Sequence, residues 1–300
     1  MSDVLRREFV YLWYYFTILI EQIGPYWVAG ILIGSAISVV GKDKLLRMVD
    51  SLQVHNLGLF GIVPASILGI ASPLCMYGTI PVAATCANKG MREDWLAAFM
   101  MSSVLLNPQL AVYSAALGKT VLTIRIIVSI LTGIAAGLLV HLFYKGKRFF
   151  RFYDLEPNAP KDANVRFSMR LIKSIERNVR FTGPYFLAGV VLTVVFQRYV
   201  PAHTFAQLFG KNHGFGVLIA GTLGVPLYLC GGGTIPILMD WLARGMSIGA
   251  ATAFMVTGPA TKLTNLGAVK IVLGGKNFTY YILFSIIAAM LFGVLVNVFV

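Results

Sequence analysis

Two stretches decide the fold. Cys75-Met76-Tyr77-Gly78-Thr79-Ile80-Pro81 and Cys230-Gly231-Gly232-Gly233-Thr234-Ile235-Pro236 both read C-x-x-G-T-I-P. They stand 155 residues apart (75 to 230), about half the chain. Each lies in nearly uncharged apolar sequence. Glycine lets a backbone turn sharply, and threonine or isoleucine can precede a helix whose first turn tolerates proline. The spacing predicts a helix that begins inside an apolar layer and offers free N–H groups to an anion or an electron-rich solute. Repeated in both halves, such breaks are how a membrane transporter builds a central site.

Composition supplies the apolar layer. Hydrophobic residues make up 57% of the 300 residues, charged residues 12%, and mean hydropathy is +0.77. A soluble domain carries about 25% charged residues. This chain has too little polar surface for water, and its runs lack the strict alternation of a lipid-facing strand. The expected class is all-α and polytopic. The formal net charge of +13 is concentrated between apolar runs, and segment 145–180 holds ten Lys/Arg against four Asp/Glu. That pattern fits cationic loops beside anionic lipid, not nucleic acid. Three cysteines in apolar sequence build no disulfide framework, and Cys86 has no partner in the other half.

In chain order, residues 9–22 read as an aromatic interfacial or tilted segment, and 24–40 as the first span. Residues 72–88 are too short for a full span, so they read as discontinuous or re-entrant. Residues 95–117 are broken by Asn107-Pro108, and 121–144 close the first half. Residues 165–180 form a basic amphipathic pattern suited to a membrane surface. The second half repeats the first. Gly24-Pro25-Tyr26-Trp27 matches Gly183-Pro184-Tyr185-Phe186, Lys89-Gly90-Met91 matches Arg244-Gly245-Met246, and His141-Leu142-Phe143 matches Asn297-Val298-Phe299. An ordered series of this kind points to duplication. The expected units are a repeat over 1–144, a cytoplasmic linker over 145–180 and a repeat over 181–300. Arg6, Arg7 and the linker, all placed in the cytoplasm by charge, favour an even number of spans per half.

The candidate solute-binding residues are Cys75, Gly78, Thr79 and Pro81 with Cys230, Gly233, Thr234 and Pro236. Asn107, Lys262 and Asn265 join them from the second pair of breaks. Cysteine thiolates suit soft metals or trivalent arsenic, although buried cysteine also packs as a small hydrophobe. Lys262 aligns with Asn107; it could neutralise an anion or snorkel from a helix end. Glu21 is the candidate for proton coupling. Asp240 and Arg244, four apart, read as a surface ion pair, and His141 as interfacial. No resident metal site or cofactor is expected. Gly118-Lys119-Thr120 lacks the first glycine of a phosphate loop, and no hydrolase motif is present, so the chain is not read as an enzyme.

On the Gly-Pro-Tyr helix, the Pro-Leu-Cys…Gly-Thr-Ile-Pro segment, the basic linker, and the Cys-Gly-Gly-Gly-Thr-Ile-Pro and Gly-Pro-Ala-Thr-Lys segments, the chain resembles the predicted permease family that includes organoarsenical efflux permeases of the ArsP type. The resemblance implies about eight transmembrane helices, multi-pass placement in a bacterial inner membrane, and efflux of a small toxic solute such as a trivalent organoarsenical or related soft metal species. That family often holds a second cysteine near the first; Met76 and Tyr77 stand there in this chain. The expected partners are a small-molecule substrate and membrane lipid, and a homo-oligomer is compatible. An anion permease or channel, or a non-transporting scaffold subunit, uses the same features differently.

Overall fold

The structure, a computed structural model, describes residues 2–54, 58–72, 76–88, 90–144, 148–152, 167–199, 208–210, 215–228 and 231–300. Cys75, Cys230 and most of the linker lie outside these residues.

Among the described residues there are eleven α-helices and no strand. They are α1 (Ser2–Val54), α2 (Ile62–Ala71, entered through a 3-10 turn at Gly58–Gly61), α3 (Met76–Asn88), α4 (Glu93–Leu105), α5 (Pro108–Ala115), α6 (Lys119–Phe143), α7 (Phe167–Tyr199), α8 (Phe215–Leu227), α9 (Gly231–Ala243), α10 (Ile248–Thr261) and α11 (Leu263–Phe299). Four stretches are long and apolar enough to cross a membrane: Arg6–Ala36, Glu93–Ala115, Lys119–Phe143 and Asn265–Phe299. Helices α3 and α9, 13 residues each, rise about 20 Å at 1.5 Å per residue, short of a hydrocarbon core of about 30 Å.

Two expectations change here. Helix α1 runs unbroken through Gly24-Pro25, so there is no separate interfacial segment. An internal proline removes one backbone bond and kinks a helix, but a long packed neighbour can hold both sides together. The neighbour is α7, which also absorbs the amphipathic 167–180 stretch as its first turns.

Helices α1 and α7 lie antiparallel. Arg198 Nε donates to Glu8 Oε2 at 2.8 Å, Trp27 stacks on Phe186 at 4.9 Å and 17°, and Asn178 Nδ2 donates to Ser35 Oγ at 2.8 Å. Arg6 and Arg7 therefore lie at the Arg198 end of α7, opposite the end where α7 leaves the linker. The charge argument, which put both on the linker side, counted arginines without knowing which helix they would pair with.

The ends of the molecule are distinguished by its clusters. At the linker end, Met91, Trp95, Phe150, Phe152, Val272 and Leu273 share one apolar cluster. At the far end, Val121, Phe209, Met246 and Ala250 share another. Helix α4 thus starts at the linker end and α10 at the far end, and the two pack against each other in opposite directions. Helix α2 runs parallel to α4, since Trp95 Nε1 donates to Gly58 O and Ser66 bonds Ser102. Helix α3 returns to the linker end, where Met91 N donates to Cys86 O at 3.0 Å. On the other side α8 runs parallel to α10, and α9 returns to the far end, where Met246 N donates to Trp241 O at 3.0 Å.

Positive-φ glycines make the turns. Gly90 (φ +89) follows α3 and Gly245 (φ +96) follows α9, and a side chain in that region would be strained. Gly118 (φ +97) precedes α6, and Gly274 (φ +72) reverses the chain inside α11. The start of the linker straps across that reversal. Arg151 N donates to Val272 O at 2.7 Å, Asn277 Nδ2 donates to Phe149 O at 2.7 Å, and Phe150 N donates to Glu93 Oε2 at 3.1 Å.

Candidate functional site

The motif helices start one turn earlier than the sequence suggested. Helix α3 begins at Met76 and α9 at Gly231, so Pro81 and Pro236 are internal, each the sixth helical residue. Proline there forfeits the bond to the residue four positions earlier and favours a kink, a cost that tertiary packing offsets. The amides with no partner inside their own helix belong to Met76–Thr79 and Gly231–Thr234, the first four of each helix.

Around α3 the chemistry is hydroxylic. Thr79 is fully buried and its Oγ1 lies 2.9 Å from Ser103 Oγ. Ser66 Oγ lies 2.6 Å from Ser102 Oγ, and Ser66 donates to Ile130 O at 3.0 Å. Around α9 the fit is backbone on backbone. Thr234 and Pro236 are buried, and Gly233 lies so close to Gly189 of α7 that a Cβ on Gly189 would strike the Gly233 carbonyl. Pro81, by contrast, is exposed. Thr257 and Thr261 donate to the carbonyls of Ala253 (3.0 Å) and Thr257 (2.7 Å), so these hydroxyls satisfy themselves within α10.

The second pair of breaks lies between α4 and α5 and between α10 and α11. Asn107 Oδ1 accepts from Leu110 N at 2.8 Å, capping α5 ahead of Pro108. Lys262 occupies the equivalent place before α11, is half-buried and makes no side-chain cap. Its carbonyl accepts from Asn265 N at 2.8 Å. Helix α9 packs on α5, and α3 packs on α11, so each motif helix meets a broken helix of the other half. Glu21 is on the exposed face of α1 and joins none of these groups. Asp240 and Arg244 do pair, Nε to Oδ1 at 3.0 Å, but they are largely buried and not on the surface as expected. His141 Nδ1 lies 3.0 Å from Asp94 Oδ2, which Arg92 also holds at 2.6 Å.

A cavity of about 800 Å³ opens between α4, α6 and α11 beneath the strap, lined by Met100, Met101, Tyr144, Phe149, Tyr281 and Phe284 among others. Its wall is apolar and aromatic. None of the residues singled out from the sequence lines it.

One residue escaped the sequence reading. Arg125, inside the apolar run of α6, is 3% exposed. Its Nη1 donates to Ser114 Oγ at 2.6 Å, and the Tyr228 phenol of the other half interacts with the same guanidinium. Its Nε and Nη2 have no hydrogen-bond partner among the described residues. A guanidinium stays charged, and burying a charge without full pairing costs on the order of several kcal/mol. The signal that could have found it was a lone arginine seven residues into α6, at membrane depth. No group of three His, Cys, Asp or Glu side chains among the described residues could hold a metal.

A 93-residue stretch is 32% identical to UPF0718 protein YcgR of Bacillus subtilis (strain 168), covering 31% of this chain and 32% of that protein. The chain thus matches about a third of that relative's length. No solved structure matches. The profile of the family described as predicted permease, ArsP_1, matches residues 8–298, and the chain belongs to that family.

Proposed function

We propose that the chain is a secondary-active permease of two inverted repeats that exports a small toxic solute by alternating access. The observation that carries this reading is the antiparallel arrangement of equivalent helices. Helix α2 starts at the linker end and α8 at the far end, and α3 and α9 are each too short to cross, so on this reading the two pairs dip in from opposite faces and turn at partial depth. Each repeat would hold three crossings and one re-entrant hairpin, six crossings in all against the eight implied by resemblance. An odd number per repeat makes the repeats inverted, as in many carriers that rock one half against the other. The basic linker end is cytoplasmic on this reading, in the inner membrane of a bacterium.

The solute would bind where the motif helices begin, between Gly78, Thr79 and Pro81 and Gly233, Thr234 and Pro236. Asn107, Lys262 and Asn265 would line the breaks, and Cys75 and Cys230, one residue ahead of each helix, would ligate a soft atom. Trivalent organoarsenicals and related soft metalloid or metal species suit that set, and the aromatic cavity suits a solute with an apolar body. No resident cofactor takes part. Protons would couple through Glu21. Replacing Cys75 and Cys230 together by serine tests the thiol role in everted vesicles: uptake of a trivalent phenylarsenical should fall at least tenfold, and unchanged uptake removes the cysteines from the mechanism. A second reading, a permease or channel for a small anion, is favoured by the buried Arg125.

A further inference from the structure

We propose that Arg125, with Ser114 and Tyr228, forms an occluded site for a small oxyanion. The inference deepens the anion reading above by naming the residues that recognise the charge. Its warrant is the particular edge of the guanidinium that is left over. Nη1 is occupied by Ser114, whose own hydroxyl donates onward to Leu110 O at 2.7 Å. The unsatisfied donors are Nε and Nη2, which share one side of the planar group. Two parallel N–H donors on one edge match two oxygens of an oxyanion, the bidentate geometry in which arginine excels over lysine.

The surroundings favour negative charge there. Among the described residues no carboxylate interacts with Arg125; the titratable partner it does have is the neutral Tyr228 phenol. Tyr228 lies three residues ahead of Gly231, where α9 begins and presents the positive end of its dipole. The tyrosine ring is fixed against Phe254 and fills the place a side chain on Gly258 would take. The site therefore joins α5 and α6 of one half to the α8–α9 break of the other. Arg125 is buried, so an ion reaches its donors only when the packing around it opens, as when Tyr228 and α6 separate. A relative movement of the halves, the motion that alternating access requires, would open it.

The test uses the purified full-length protein in detergent. Thermal unfolding is followed while inorganic sulfate, phosphate or thiosulfate is titrated at constant ionic strength, with chloride as the control. The expected result is a saturable rise in Tm with at least one oxyanion and none with chloride. Arg125→Lys should weaken the half-saturating concentration about tenfold, because a point charge replaces the two-donor edge. Arg125→Gln should abolish the response. Tyr228→Phe keeps the ring packing and loses the hydroxyl, and it should weaken binding severalfold even if Arg125→Gln does not fold. No rise with any oxyanion in the wild type, or an unaltered response in Tyr228→Phe and Arg125→Gln, would overturn the site. Binding without vesicle transport of the same ion leaves the site standing and removes the anion-permease reading; transport of the ion without the Tm response does the reverse.

Discussion

Arg125 and Tyr281 occupy matching places in the two halves, each seven residues after a positive-φ glycine, Gly118 and Gly274. Tyr281 is satisfied: its hydroxyl donates to Ala260 O at 2.9 Å. Arg125 is not, since two of its nitrogens find no hydrogen-bond partner among the described residues. The same contrast recurs along the bundle. In one half Asp94 is held by Arg92 and His141; at the matching positions of the other, Gly249 N donates to Asn297 Oδ1 at 2.9 Å. The turns and helix order agree between halves while the polar groups differ. On the duplication reading, related halves with unmatched chemistry would bind on one side and brace on the other.

The comparison can be broken most sharply at Gly30 and Gly189, matched positions on α1 and α7. A Cβ at Gly189 would meet the backbone of Gly233, whereas at Gly30 it would meet the Tyr113 ring. Gly189→Ala should destabilise the protein by about 3 kcal/mol, the upper range for overpacking, and Gly30→Ala by about 1 kcal/mol because a ring can turn aside. Thermal unfolding of the two variants decides this, and equal losses would show that the halves pack alike. Next in size is the polar staple. Asp94→Ala strips a buried carboxylate from Arg92, His141 and the Trp95 amide, and should cost about 2–3 kcal/mol. Asn297→Ala removes one neutral acceptor and should cost about 1 kcal/mol.

The smallest effects belong to the two breaks. Asn107→Ala should cost about 1 kcal/mol through the lost cap of α5. Lys262→Ala at the matched position removes no cap and should cost less than Asn107→Ala. On the transport reading Lys262→Ala nevertheless lowers solute flux in vesicles. A loss of stability without loss of flux would make Lys262 a structural residue.

Much of the frame was legible because glycine and proline punctuate apolar sequence in few ways. The short 72–88 segment and the Asn107-Pro108 break follow from local residue chemistry. What local chemistry cannot give is pairing. Helix α1 continues through Pro25 because α7 lies along it. Arg6 and Arg7 fall at the far end because Glu8 meets Arg198. Asp240 and Arg244 were readable as partners from their spacing, but their burial depends on neighbours that spacing does not name. The starts of α3 and α9 moved back one turn because tertiary packing, which local residue chemistry does not name, offsets the bond that a proline at the sixth position forfeits. Arg125 was passed over because one charge hardly lowers the hydropathy of a 25-residue helix, although an arginine at that depth is a sign of function by itself.

The central claim is that the halves dip into the membrane from opposite faces. Asn88 and Ala243 are exposed and end the matched helices α3 and α9. Single cysteines placed at each, in a chain whose three native cysteines are replaced, can be labelled with a membrane-impermeant maleimide in intact cells and in everted vesicles. The account predicts that the residue-88 cysteine reacts in everted vesicles and the residue-243 cysteine in intact cells. Labelling of both from the same face would contradict it.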